Sequence, residues 1–152
     1  MTISERYRLD GRVAIVTGAS RGIGAATARA LAATGADLVL AARQADVLEA
    51  TAAPLRAQGR RVETVAADLS DLEMLPRLVD AAVSGLGRLD VVVNNVGGTA
   101  PRPFLQTSPG YLERAFHFNV TVAFELTRLA VPPMLAGGGG SVVNVSSAMG
   151  RF

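Results

Sequence analysis

The sequence predicts an α/β fold: a doubly wound parallel sheet in three αβα layers, with strand order 3-2-1-4-5. Three observations carry that expectation. Short, β-branched apolar runs alternate with helix-patterned segments along the 152 residues. The first run is continuously apolar, as in a strand buried on both faces of a parallel sheet. A glycine-rich turn joins that run to the first helical segment. Strand and helix in strict alternation suit right-handed βαβ crossovers, which place helices on both faces of the sheet.

The elements follow in order. Residues 13–17 (Val-Ala-Ile-Val-Thr) read as the first strand, and Gly18 ends it. The Ala-rich segment 23–33 reads as a helix stopped by Gly35. Residues 37–41 form a second strand and 45–57 a second helix, ended by Gly59. Residues 62–66 form a third strand. A third helix is expected over 71–86, with Ser70 as its N-cap and Gly85 and Gly87 at its end. A fourth strand covers 89–93, and a Gly- and Pro-containing loop spans 97–103. A long helix covers 109–131. Four glycines, 137–140, make a turn into a fifth strand at 141–145.

Composition narrows the function. Hydrophobic residues make up 49% of the chain, enough for a core, and a single domain over 1–152 is expected. There is no Cys, which excludes disulfides and thiolate chemistry. The one His, His117, argues against a His-rich metal site, and no metal is expected. All 15 basic residues are Arg, so the chain has no Lys. The arginines are scattered and the net charge is only +2; no nucleic-acid partner is expected. Residues 1–10 are polar without a signal-like segment, and no apolar run approaches the roughly 18 residues of a membrane span. A cytoplasmic protein with no membrane partner is therefore expected.

The turn Gly18-Ala-Ser-Arg-Gly22-Ile-Gly24 lies between the first strand and the first helix. Glycines at these spacings allow a tight turn and close backbone approach. The helix N-terminus then offers N–H groups and a positive dipole end to a pyrophosphate. In this place the turn reads as the phosphate site of a Rossmann-type, NAD(P)-binding sheet. A Walker-type loop fits worse, because it needs a Lys. Cofactor choice is made near the end of the second strand, where an acid holds a ribose 2′-hydroxyl and an Arg accommodates a 2′-phosphate. Here the strand runs into Arg43, with no acid at that spot, and Arg21 lies within reach in the turn. NADP(H) is expected in preference to NAD(H), unless the two arginines are merely solvated.

With these residues in view, the chain resembles the short-chain dehydrogenase/reductase family, of the single-domain type. The resemblance rests on Thr17-Gly-Ala-Ser-Arg-Gly-Ile-Gly24, Asp68-Leu69, Asn94-Asn95-Val96-Gly97, Asn119-Val120 and Asn144-Val-Ser-Ser147, in that order, and covers Leu9 to the end. Val96 departs from the family's usual Ala. The resemblance implies that Gly18, Ser20, Arg21, Gly22, Ile23 and Gly24 surround the pyrophosphate and the adenosine phosphate. It implies that Arg43 reads the 2′-phosphate, that Asp68 and Leu69 flank the adenine, and that Asn95, Val96 and Gly97 line the cofactor ribose. On local grounds alone, Asp68 also suits a helix cap and Asn94-Asn95 a plain turn.

Asn119 falls on an apolar stripe of the long helix formed by Leu112, Phe116, Ala123, Leu126 and Ala130. It reads locally as a satisfied core amide. By resemblance it anchors a water in a proton relay. Ser147 by resemblance hydrogen-bonds the substrate carbonyl, with Ser146 as the alternative. A second strip, Val120, Phe124 and Val131, suggests a homodimer or homotetramer through the 109–131 helix. His117, beside it, reads as a packing or surface residue.

The implied reaction is hydride transfer between nicotinamide and a small-molecule carbonyl or alcohol. The family's Tyr-x-x-x-Lys pair, in which the cation lowers the Tyr pKa, is expected about a dozen residues beyond Ser147. Neither Tyr7 nor Tyr111 stands in that place. The sequence is accordingly expected to be the N-terminal portion of a longer reductase, with a catalytically incompetent dinucleotide-binding module as the alternative. The fifth strand would then be an exposed edge.

Overall fold

The computed structural model describes residues 7–147; the polar stretch 1–6 and the residues after Ser147 lie outside them. Five strands form one parallel sheet: β1 (Val13–Thr17), β2 (Asp37–Ala42), β3 (Val62–Ala66), β4 (Val91–Asn94) and β5 (Ser141–Asn144). Their order is β3-β2-β1-β4-β5, as the sequence predicts. The register aligns Thr17 with Ala41, Val16 with Val93, and Asn94 with Asn144. The glycine turn and the ends of β4 and β5 therefore share the carboxyl edge of the sheet.

Successive strand residues point to opposite faces, and each face has its own core. Ala14, Val16, Leu38 and Leu40 pack against Ala28 and Ala32 of α1 (Gly22–Ala33) and Leu48, Ala52 and Leu55 of α2 (Ala45–Ala57). Val13, Ile15, Val39 and Val92 pack against α3 (Leu75–Asp80) and α5 (Val122–Ala136) on the other face. Complete burial of a side chain such as Ile15 or Leu126 contributes about 1.5–3 kcal/mol.

Two helices differ from the sequence expectation. The segment 71–86 is not one regular helix capped by Ser70. It opens with a 3₁₀ turn (Leu72–Met74) whose cap is Asp71, accepting from the Glu73 N–H at 3.1 Å. It becomes α-helical only from Leu75 and continues as a π-helical stretch (Ala81–Leu86). Pro76 supplies the reason: it lacks an N–H, and its ring suits the first turn of a helix rather than the interior. Ser70 is engaged elsewhere, with Asp68.

The expected helix 109–131 is likewise three pieces, α4 (Pro109–Phe116), a π-turn (His117–Thr121) and α5, which runs on to Ala136. A π-turn inserts a residue and rotates the helix beyond it. The buried stripe is consequently Val122, Leu126, Ala130 and Met134, while Leu112 and Phe116 are exposed. β5 lies at the edge of the sheet and its four residues are exposed.

Candidate functional site

At the carboxyl edge, β1 and β4 are tied by Thr17. Its hydroxyl donates to the Val93 carbonyl at 3.2 Å and accepts from the N–H groups of Asn95 (2.9 Å) and Val96 (3.0 Å). The Asn95 amide donates to the Thr17 carbonyl at 2.9 Å and to the Gly18 carbonyl at 3.4 Å. One step outward, the Asn94 amide donates to Asn144 Oδ1 (2.9 Å) and Thr127 Oγ1 (3.2 Å), joining β4 to β5 and α5. In the sequence, Thr17 opens the glycine-turn motif, but its clamp between β1 and β4 has no signature in spacing.

Above this clamp lies a cavity of about 220 Å³. Nine of the twelve residues expected to hold a cofactor line it: Gly18, Ser20, Arg21, Arg43, Asp68, Leu69, Asn95, Val96 and Gly97. Gly22, Ile23 and Gly24 do not. Ile23 is exposed beside the turn and Gly24 is buried beneath it. Ala42, Ala67 and Phe118 complete the lining, and no motif in the sequence singles them out. Phe118 alone carries a signal: it is the aromatic neighbour of Asn119.

The turn meets the demands of a dinucleotide. Gly18 and Gly22 both have positive φ, at 65° and 57°. A Cβ on Gly24 would stand 2.2 Å from the Gly18 carbonyl oxygen, so only glycine lets the helix start this close to β1. Arg21 occupies the N-cap of α1 and makes no side-chain cap. Among the described residues, neither Arg21 nor Arg43 is in an ion pair. Two guanidiniums without an ion pair at one cavity, beside the start of a helix, fit an anionic, phosphate-bearing ligand.

Across the cavity, Asp68 Oδ1 accepts from the Ser70 N–H (3.0 Å) and the Ser70 hydroxyl (2.8 Å). These two bonds, with the charge of Arg43, hold its carboxyl below the usual carboxylate range. Asp68 is thus the hub of a turn and not a cap on the following helix.

Asn119 is exposed, not a core amide, because the π-turn carries it out of the buried stripe. Its Oδ1 accepts from the Gly98 N–H at 2.8 Å, and its amide donates to Thr99 Oγ1 (3.0 Å) and the Ala115 carbonyl (2.8 Å). It pins the 97–103 loop to the helix. A neighbouring cavity of about 420 Å³ brings Asn119, Val96, Asn144 and Ser146 together. Ser147 is exposed just past β5, at the same edge but outside that lining. Tyr111 lies under the same loop: its hydroxyl donates to the Ala100 carbonyl and Arg102 stacks 4.1 Å above its ring. Among the described residues no group of three or more His, Cys, Asp or Glu could hold a metal, and no helix is long and apolar enough to cross a membrane.

Residues 12–152 match the short chain dehydrogenase family. The chain belongs to that family. The chain is 53% identical over 151 residues to an uncharacterized oxidoreductase of Mycobacterium tuberculosis, covering 99% of the chain and 57% of the relative. It superposes on a 7α-hydroxysteroid dehydrogenase complexed with NADH and 7-oxo glycochenodeoxycholic acid with a TM-score of 0.94 at 34% identity, covering 100% of this chain and 59% of that one. An L-sorbose reductase from Gluconobacter frateurii, complexed with NADPH and L-sorbose, superposes with a TM-score of 0.89 at 35% identity, covering 93% and 54%. The chain thus spans a little over half the length of these relatives.

Proposed function

We propose that the chain is the cofactor-binding portion of an NADP(H)-dependent oxidoreductase acting on a small-molecule carbonyl or alcohol. The pair Arg21 and Arg43 carries this reading. Both line the cavity without an ion-pair partner among the described residues, and no acid stands at the carboxyl end of β2, where Arg43 follows the strand. A 2′-phosphate brings two negative charges to such a place, and a ribose 2′-hydroxyl brings none. Bound NADP(H) would supply the hydride or accept it.

The chain's own residues bind, orient and relay. The glycine turn and the start of α1 hold the pyrophosphate. Asp68 and Leu69 flank the adenine, and Asn95, Val96 and Gly97 line the ribose. Asn119 anchors a water of the proton relay, and Ser147 donates to the substrate carbonyl. Leu112, Phe116, Val120, Phe124 and Val131 leave an exposed apolar strip along α4 and α5, which we assign to a homodimer or homotetramer contact in a cytoplasmic enzyme.

The test is cofactor choice in the full-length protein. NADPH is expected to bind more tightly than NADH and to be oxidised in the presence of a carbonyl substrate. Arg43→Ala is expected to weaken NADPH about 10- to 100-fold, the worth of charge-assisted hydrogen bonds, and to leave NADH nearly unchanged. Direct titration of both nucleotides checks this. Tighter binding of NADH by the unmodified protein would overturn the assignment.

A further inference from the structure

His117 has no role in the proposed reaction, yet it is joined to the cofactor cavity. Its Nε2 stands 2.7 Å from the Ser70 carbonyl oxygen. A carbonyl only accepts, so Nε2 carries the proton and donates. Ser70 is thereby held from two sides: its carbonyl by His117, its N–H and hydroxyl by Asp68 Oδ1. A second cavity, of about 580 Å³, opens beside this bridge and shares Arg43, Asp68 and Phe118 with the first. Oδ2 of Asp68 has no hydrogen-bond partner among the described residues and is left to accept from a ligand.

The placement is a consequence of the π-turn. His117 opens the turn and Asn119 lies within it. His117 reaches the loop after β3, and Asn119 reaches Gly98 and Thr99 in the loop after β4. One irregular turn thus braces both loops that border the cavity.

We propose that His117 is a positioning residue for the adenine of the dinucleotide: through Ser70 it fixes the Asp68 carboxylate that accepts from the adenine amino group. The inference rests on the reading of Asp68 as the adenine neighbour. Its signature is base selectivity. Adenine presents an amino donor at this edge and hypoxanthine a carbonyl acceptor, so a fixed carboxylate favours the first and repels the second.

The experiment measures Kd for NADPH and for its hypoxanthine analogue in the full-length protein, by nicotinamide fluorescence, with far-UV circular dichroism confirming the fold. The unmodified protein is expected to prefer NADPH. His117→Ala is expected to weaken NADPH about three- to tenfold, the worth of one hydrogen bond, while the analogue changes less than about twofold. His117→Gln, whose carboxamide N–H can reach the same carbonyl, is expected to restore the preference. If His117→Ala leaves the ratio unchanged, or weakens both nucleotides equally without rescue by Gln, the inference is overturned and the Asp68 reading stands. If Asp68→Ala leaves the ratio unchanged, that reading falls and the inference falls with it.

Discussion

Gly24→Ala is expected to lower stability by about 3 kcal/mol, at the upper end of typical overpacking costs, and to abolish dinucleotide binding. The added methyl would lie 2.2 Å from the Gly18 carbonyl oxygen, 2.8 Å from its carbon and 2.7 Å from Asn95 Nδ2. None of these can retreat cheaply. Gly18 is the tight turn itself, and Asn95 is the clamp between β1 and β4. Relief requires α1 to move away from β1, which removes the N–H groups from the phosphate position. Gly22→Ala is the control. A Cβ there meets nothing within 4 Å, and only its positive φ of 57° resists substitution. Its cost is expected to be about 1–2 kcal/mol, with binding weakened rather than lost. Urea unfolding and NADPH titration of the two variants separate crowding from backbone strain. A Gly24→Ala protein with an unchanged midpoint and affinity would show that the close approach is not required.

The contrast between these glycines marks what the sequence made legible. The glycine spacing and its place after β1 pointed to the turn, because φ and close approach are local demands. The doubly wound parallel sheet was legible for a similar reason: short strands alternating with helices admit few right-handed windings. Nine of the twelve residues expected to hold a cofactor line one cavity, since parallel strands bring their carboxyl ends to one edge.

What the sequence concealed was irregularity inside helices. The stripe drawn through Leu112, Phe116, Ala123, Leu126 and Ala130 assumed one constant period. The π-turn at His117–Thr121 breaks that period, so Leu112 and Phe116 face outward and Val122 and Met134 face the core. The same slip hid Asn119's link to the 98–99 loop and His117's link to Ser70. Neither contact has a signature in spacing, because each joins segments brought together only by folding.

Asp90→Ala is expected to destabilise the protein by about 3 kcal/mol at pH 7, from the far end of the sheet and with no direct effect on the cofactor cavity. Asp90 is only 5% exposed. Its Oδ2 accepts from the Val13 N–H at 2.9 Å and from Arg88 Nε at 2.7 Å, while Oδ1 accepts from Arg12 and from the second Arg88 nitrogen, each at 2.6 Å. Its backbone N–H donates to Val13 and its carbonyl accepts from Ser141, so one residue joins the amino ends of β1, β4 and β5. Truncation leaves a buried Val13 N–H without its side-chain partner. Arg12 and Arg88 are half-exposed, so their freed charges reach water and limit the cost. Burial opposes the charge on Asp90, but the bonds from Arg88, the Val13 N–H and Arg12 outweigh it and hold the carboxyl below its usual range. A depressed folded-state pKa means stability that is fully present above the unfolded value, roughly 3.9, and is lost as pH falls through the folded value. The gap between the unmodified protein and Asp90→Asn, which keeps an acceptor for Val13 but no charge, is therefore expected to narrow as pH drops below about 4. Urea midpoints at pH 7 and pH 3 measure it. An equal gap at both would mean that shape, not charge, is what Asp90 supplies.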